Sequence, residues 1–282
     1  MSTPTRGFIY AATGEKWVRE SVTAAAELRR VHPDIPSVLF TEQSSAQSAH
    51  SHFDDVVVLP EQRWVRSESK LWAVAHSPFE SAVFLDTDTH VRADVSDLFV
   101  VLERFDFAGV PVPSRTFAQP LHADPSDVPN AFQCPNSGVL AFRRNDATKG
   151  LFELWWDLYH ADMETATANG LSGAMDQPSL RVALWRSNCS VLVLPPEFNM
   201  RTLHHRSRPT VAVGRVRIIH GRPSDVDKLD RRWNRVETPR MLTPLMQYQL
   251  RKAWQLAPKK LARHNGRAWR ATAPLRKRFT GR

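Results

Sequence analysis

Ala82-Val83-Phe84-Leu85-Asp86-Thr87-Asp88 sets four apolar residues directly ahead of two carboxylates. The apolar run reads as a short buried strand, and its abrupt end in Asp-Thr-Asp marks where polar chemistry can begin. Outward from it, Gly7–Ala12 (GFIYAA) is a second such run, closed by Thr13-Gly14. Glu15–Val31 then carries Val18, Val22, Ala25, Leu28 and Val31 at helical spacing and stops at His32-Pro33. Ser37–Thr41 and Val56–Leu59 read as strands, and a helix is expected around Ser69–His76. Short buried strands separated by helices predict an α/β fold with a mainly parallel central sheet flanked by helices. Ligands of such sheets sit at the carboxyl ends of the strands, where Thr13, Thr41 and Asp86 fall.

The later chain is less regular. Arg115–Asn130, rich in Pro, Asp and small residues, reads as a long loop of the kind that serves as a lid or binding segment. Gly138–Phe142 reads as a strand, Leu151–Met163 as a helix carrying Trp155 and Trp156, and Val191–Leu194 and Arg217–Ile219 as further strands. There is no internal repeat.

Charge divides the chain. Its 282 residues hold 38 Lys and Arg against 29 Asp and Glu, a net of +9, but 15 of the basic residues and only one acid lie from Arg231 onward. An acidic body is thus followed by a strongly basic tail. The composition changes after Asp230, and the reading divides the chain into a domain over 1–235 and a basic helical tail over 236–282. Hydrophobic content of 42% is that of a globular chain, and no apolar run approaches a membrane span. Met1–Arg6 is short and polar, without the apolar region of a signal peptide, so a cytoplasmic location is expected. Cys134 and Cys189 have no paired spacing, which argues against a disulfide framework or a zinc ribbon. Neither G-x-G-x-x-G nor G-x-x-x-x-G-K-[ST] occurs, so a phosphate ligand would need another device.

Asp86 and Asp88 could supply that device. Two carboxylates at i and i+2 past a buried strand can reach one hard cation, Mg²⁺ or Mn²⁺, if the chain turns there. Such a cation would bind a diphosphate and neutralise charge developing on it as a leaving group. Asp-x-Asp also occurs in ordinary turns. A different chemistry, a phosphohydrolase with Asp86 as nucleophile, fits the strand and its first two carboxylates. It lacks a later Gly-Asp-x-x-x-Asp, and Asp225-x-Asp227 is the nearest acidic pair.

Several stretches carry a resemblance. Ser69-Lys70-Leu71 and Val83-Phe84-Leu85-Asp86-Thr87-Asp88-Thr89 resemble the Lys-Leu and Phe-x-Asp-x-Asp-Thr segments of the glycogenin-like family 8 glycosyltransferases. Cys134-Pro135-Asn136-Ser137-Gly138-Val139 resembles their Asn-Ser-Gly-Val segment, and Asp176-Gln177 falls where they have Gly-Asp-Gln. Leu194-Pro195-Pro196-Glu197-Phe198-Asn199 is similar to their Leu-Pro-x-x-Tyr-Asn run, and Ile218-Ile219-His220-Gly221 to the strand that ends in a metal-binding His. These landmarks keep the family's order over roughly residues 7–222.

The resemblance implies the GT-A nucleotide-sugar fold and glycosyl transfer with retention, from a nucleotide-diphosphate donor, a UDP-sugar. Asp86, Asp88 and His220 would hold Mn²⁺ (or Mg²⁺) against the diphosphate; two carboxylates and one neutral imidazole suit such an ion. Thr87 and Lys70 would lie beside the phosphates, and Thr13 and Trp17 beside the nucleoside. Trp17 could equally be a core aromatic of an amphipathic helix. Asn136 and Ser137 would bind donor hydroxyls. Asp176 and Gln177 would face the reacting sugar, where a carboxylate can orient it or stabilise a cationic transition state. Two departures stand out: Arg222 occupies the place of the family's phosphate-binding Lys, and Met175 that of the Gly before Asp-Gln.

Thr243-Pro244 reads as a helix start in the tail, with Met246, Leu250, Ala253, Trp254 and Ala257 on one face and eight further basic residues from Lys259 to Arg278. A basic segment with apolar anchors suits an anionic membrane surface. That would make the protein peripheral on the inner membrane face, near a glycan or lipid-linked glycan acceptor. A helix packed on the body with a solvated basic end is the alternative. Nucleic acid is disfavoured, because the body is acidic and shows no recognition motif.

Overall fold

The computed structural model describes residues 5–65, 67–112, 127–202 and 214–234. The loop expected over Arg115–Asn130 lies outside the described residues up to position 126, as does the whole tail from 236 onward. Seven strands form the central sheet: β1 (Arg6–Ala11), β2 (Ser37–Thr41), β3 (Asp55–Val58), β4 (Ser81–Leu85), β6 (Phe107–Pro111), β7 (Pro135–Arg143) and β8 (Val191–Val193). Their spatial order is β3-β2-β1-β4-β7-β6-β8, and only β7 runs against the rest. A smaller sheet of three short strands, β5 (Thr89–Val91), β10 (Ile218–His220) and β9 (Met200–Arg201), sits beyond the carboxyl end of β4.

Period-two alternation divides the core between the faces of the large sheet. Phe8 and Tyr10 of β1, Val83 and Leu85 of β4, and Val139 and Ala141 of β7 face one way, against α1 (Glu15–Val31), α2 (Gln43–Ala49) and α4 (Asp97–Val101). Ile9, Phe84, Leu140 and Phe142 face the other way, against α3 (Glu68–Ala75), α5 (Asp146–Ala168) and α6 (Asp176–Arg186). Every one of these strand residues is essentially excluded from solvent, which is why the strands read as continuous apolar runs. The last helix is α7 (Val226–Trp233). No helix among the described residues is long and apolar enough to cross a membrane.

The strand that runs the wrong way matters most for the site. Because β7 is antiparallel to β4, its first residues, Asn136 and Ser137, arrive at the edge where β1 and β4 end. The reversal in strand direction concentrates polar groups at one point of the sheet.

Candidate functional site

Leu85 is the last residue of β4, and the next three residues turn the chain into β5. Thr89 donates to the Asp86 carbonyl from both its backbone N–H (3.1 Å) and its hydroxyl (2.7 Å), closing the turn that carries Asp86 and Asp88. Pairing of β5 with β10 aligns Thr89 with His220 and so lays the imidazole beside that turn. His220 Nε2 lies 3.3 Å from Asp88 Oδ1 and 3.7 Å from Asp86 Oδ2. One ligand atom from each of the three residues lies within 4.8 Å of the others.

A hydrogen-bond chain orients the imidazole. His220 Nδ1 lies 2.8 Å from Asn199 Oδ1, Asn199 Nδ2 donates to Asn136 Oδ1 at 2.8 Å, and Gly138 N–H donates to the same oxygen at 3.1 Å. Asn136 Nδ2 in turn donates to Gln177 Oε1 at 3.4 Å. With the Asn199 oxygen as acceptor, the proton is assigned to Nδ1, and the Nε2 lone pair faces the two carboxylates. Three acceptors converging on one point make a place for a cation. Space is kept for it by Gly138, where an added Cβ would lie 2.2 Å from His220 Cε1 and 2.8 Å from Asp86 Oδ2. The donor set of two carboxylates and an imidazole, with this clearance, fits a divalent ion.

Two side-chain cations flank the carboxylates. Lys70, in the first turn of α3, is largely buried, with Nζ 2.9 Å from Asp86 Oδ1, 3.1 Å from Asp176 Oδ2 and 3.3 Å from Ser137 Oγ. Burial works against its charge, but the Asp176 and Asp86 carboxylates overcome this and hold the ammonium above the ordinary lysine range. Arg222 is the second, with Nη1 2.9 Å from Asp88 Oδ2. Burial pushes the Asp88 carboxyl up, yet with no ion bound a His220 ring that carries both protons, together with the Arg222 guanidinium, outweighs this and holds it at about 2. Asp176 opens α6, where the helix N-terminus favours a carboxylate; its carbonyl accepts the Trp155 indole N–H at 2.9 Å.

The structure therefore brings Lys70, Asp86, Asp88, Asn136, Ser137, Asp176, Gln177, His220 and Arg222 into one connected group. Thr87 joins it through a short hydrogen bond from its hydroxyl to Glu20. Trp17 is not a core residue: it is 37% exposed, with the Arg222 guanidinium 4.9 Å and the Lys16 ammonium 4.3 Å from its ring centre. Thr13 reaches the same sheet edge past β1, and among the described residues makes no side-chain hydrogen bond to this group. Gly221, at φ 122°, donates its N–H to the Asp88 carbonyl at 2.8 Å; the positive φ suits glycine and turns the chain from His220 to Arg222. Asp225 and Asp227 are used elsewhere, the first capping α7 and the second pairing with Arg92.

Two contributors were not singled out from sequence. Asn199 lies within a run quoted for its resemblance, and only the fold shows it holding His220. Glu20 gives no local signal, since it is 202 residues from Arg222 in the chain.

No protein-family model matches the chain, and no curated protein matches it. Solved structures do. A galactosyltransferase, LgtC, crystallised with donor and acceptor sugar analogues, superposes with a TM-score of 0.50 at 13% identity, covering 77% of this chain and 87% of its own. The glycosyltransferase GlyE of Streptococcus pneumoniae TIGR4 superposes with a TM-score of 0.53 at 16% identity, covering 87% of this chain and 61% of its own. The chain has the GT-A fold. At these identities the likeness is one of fold, and the chemistry must be argued from the site.

Proposed function

We propose that the protein is a metal-dependent retaining glycosyltransferase of the glycogenin-like kind, moving a sugar from a nucleotide-diphosphate donor, a UDP-sugar, to a glycan or lipid-linked glycan acceptor. The observation that carries this reading is the convergence of Asp86, Asp88 and His220 at the end of β4, joined through Lys70 to Asp176. Asp86, Asp88 and His220 would hold Mn²⁺ or Mg²⁺, which when bound supplies charge to a diphosphate leaving group.

The chain's own residues supply the rest. Arg222 would face the phosphate oxygens on the solvent side of Asp88, where a guanidinium makes strong charge-assisted bonds. Thr87 would stand with it, and Thr13 and Trp17 would border the nucleoside. Asn136 and Ser137 would bind donor hydroxyls, one anchored to Gln177 and Asn199, the other to Lys70. Asp176 and Gln177 would flank the reacting sugar. Lys70 ties Asp176 to Asp86, so the sugar-facing carboxylate and the metal-facing carboxylate are held by one ammonium. Buried charges bound in this way cannot be separated cheaply, which keeps the two halves of the site in register.

Thermal-shift screening of nucleotide sugars with and without Mn²⁺ tests the reading. Wild type should gain Tm with a subset of donors only when Mn²⁺ is present, and Asp88→Ala should lose that gain. If no donor stabilises wild type more than Asp88→Ala, the reading fails.

The basic tail would dock the enzyme on an anionic membrane, peripherally on its cytoplasmic face, each Lys or Arg at the surface contributing about 1 kcal/mol. In liposome flotation, full-length protein should rise with anionic vesicles and a 1–240 truncation should not. Equal flotation of the two would remove the membrane from the proposal.

A further inference from the structure

Arg222 leaves the end of β10 two residues past His220 and crosses to α1. There its guanidinium makes a two-point pair with Glu20, Nε to Oε1 at 2.6 Å and Nη2 to Oε2 at 2.8 Å, while Nη1 reaches Asp88 Oδ2. The Trp17 ring lies along the same guanidinium, one helical turn before Glu20. The Thr87 hydroxyl donates to Glu20 Oε2 as well. One glutamate on the outward side of a helix thus ties together the arginine that follows β10 and the middle residue of the Asp-Thr-Asp turn. Neither interaction is needed to close the core, because Arg222 is about half exposed and Glu20 is outside both hydrophobic clusters.

We propose that Glu20 is a positioning residue for the donor diphosphate: it holds the Arg222 guanidinium against the Trp17 ring and beside the Asp88 carboxylate, facing the phosphate oxygens. This rests on the glycosyltransferase reading above. A half-exposed arginine has many rotamers, and ordering it on ligand binding costs affinity. The fork-to-fork pair with Glu20 fixes the guanidinium plane in advance. Three of its five N–H groups are then used, on Glu20 and Asp88, and two remain for phosphate oxygens. Trp17 acts as a support for the guanidinium, with its ring face committed to cations.

Isothermal titration with a double-mutant cycle tests this. UDP, GDP, CDP and ADP are first titrated into Mn²⁺-loaded wild type, and the tightest is carried forward. Glu20→Ala should weaken its binding roughly tenfold, Glu20→Gln less, because the amide oxygen still accepts one guanidinium N–H. In an Arg222→Ala background, Glu20→Ala should add no further loss, and titration with Mn²⁺ alone should stay within about twofold of wild type throughout. Equal losses with and without Arg222, a loss seen equally for Mn²⁺ alone, or no loss at all would each overturn the positioning role while leaving the glycosyltransferase reading intact. If wild type binds none of the four diphosphates, that reading falls and the positioning role falls with it. Circular dichroism checks that each variant folds, and Glu20→Gln carries the same comparison should the alanine variant unfold.

Discussion

At Gly138 the backbone of β7 passes so close to His220 that a single methyl group cannot be added without moving the imidazole. The same residue fixes the turn beside it, since its carbonyl accepts the Asp86 N–H at 2.8 Å. Gly138→Ala should therefore push the ring off Asn199 and away from Asp88 while leaving the strand paired. Overpacking of this kind costs about 1–3 kcal/mol, read as a lower Tm without ligand. The more telling result is the loss of any Mn²⁺-dependent rise in Tm. If the variant responds to Mn²⁺ as wild type does, His220 is not where the ion is held. The glycine of the Asn-Ser-Gly-Val run thus has a steric reason, visible only once β7 is laid against β4.

At the scale of elements, α5, whose Trp155 supports Asp176 from behind, is anchored far from the site. Asn145 caps α5 by accepting the Thr148 N–H at 3.0 Å, Thr148 Oγ1 accepts the Asn145 N–H at 3.1 Å, and Asn145 Nδ2 also donates to Asp106 at 2.7 Å. Removing an N-cap of this type costs about 1–2 kcal/mol, so Asn145→Ala should lower the urea midpoint with an unchanged m-value and an unchanged Mn²⁺ response. A midpoint equal to wild type would show that the cap does not hold the helix. Which elements could be read from sequence follows from the same physics. Helix α1 runs over Glu15–Val31 as expected, because one face of it is apolar at period 3.6 and a proline follows. Helix α6 was not expected: it is buried along Pro178–Leu184, even at Ser179 and Arg181, so no polar stripe marks its period. Strand β6 escaped because Phe107–Pro111 mixes glycine and proline into its five residues, and β5 and β9 because three and two residues carry no pattern. Asp86 and Asp88 were legible because they follow an apolar strand, whereas His220 was picked out through the family resemblance. Glu20 and Asn199 were not, because their partners come from distant parts of the chain.

Across the whole molecule, acidic groups are placed where the fold supplies cations and donors for them, and this makes stability depend on pH in a defined direction. Asp106 accepts from Arg143, Asn145 and both the N–H and hydroxyl of Ser190, joining β6, β7, the start of α5 and the entry to β8. Burial raises its carboxyl, but the Ser190, Arg143 and Asn145 bonds outweigh this and hold it far below the usual carboxylate range. His32, buried at the end of α1, lies with Nε2 3.1 Å from the Val95 N–H as its acceptor, and burial lowers its proton affinity despite nearby Asp94. Both groups bind protons more weakly in the folded chain than in the unfolded one, so both stabilise fully only above their unfolded pKa values. Tm should be level between about pH 7 and pH 8, begin to fall as pH drops below about 6.5 where the unfolded histidine gains its proton, and fall further below about 4 where unfolded Asp does. His32→Gln should start from a lower Tm and lose the first of these two declines while keeping the second. A Tm that rises between pH 7 and pH 5, or a first decline that survives in His32→Gln, would mean that the buried imidazole is not the group that makes the fold acid-sensitive.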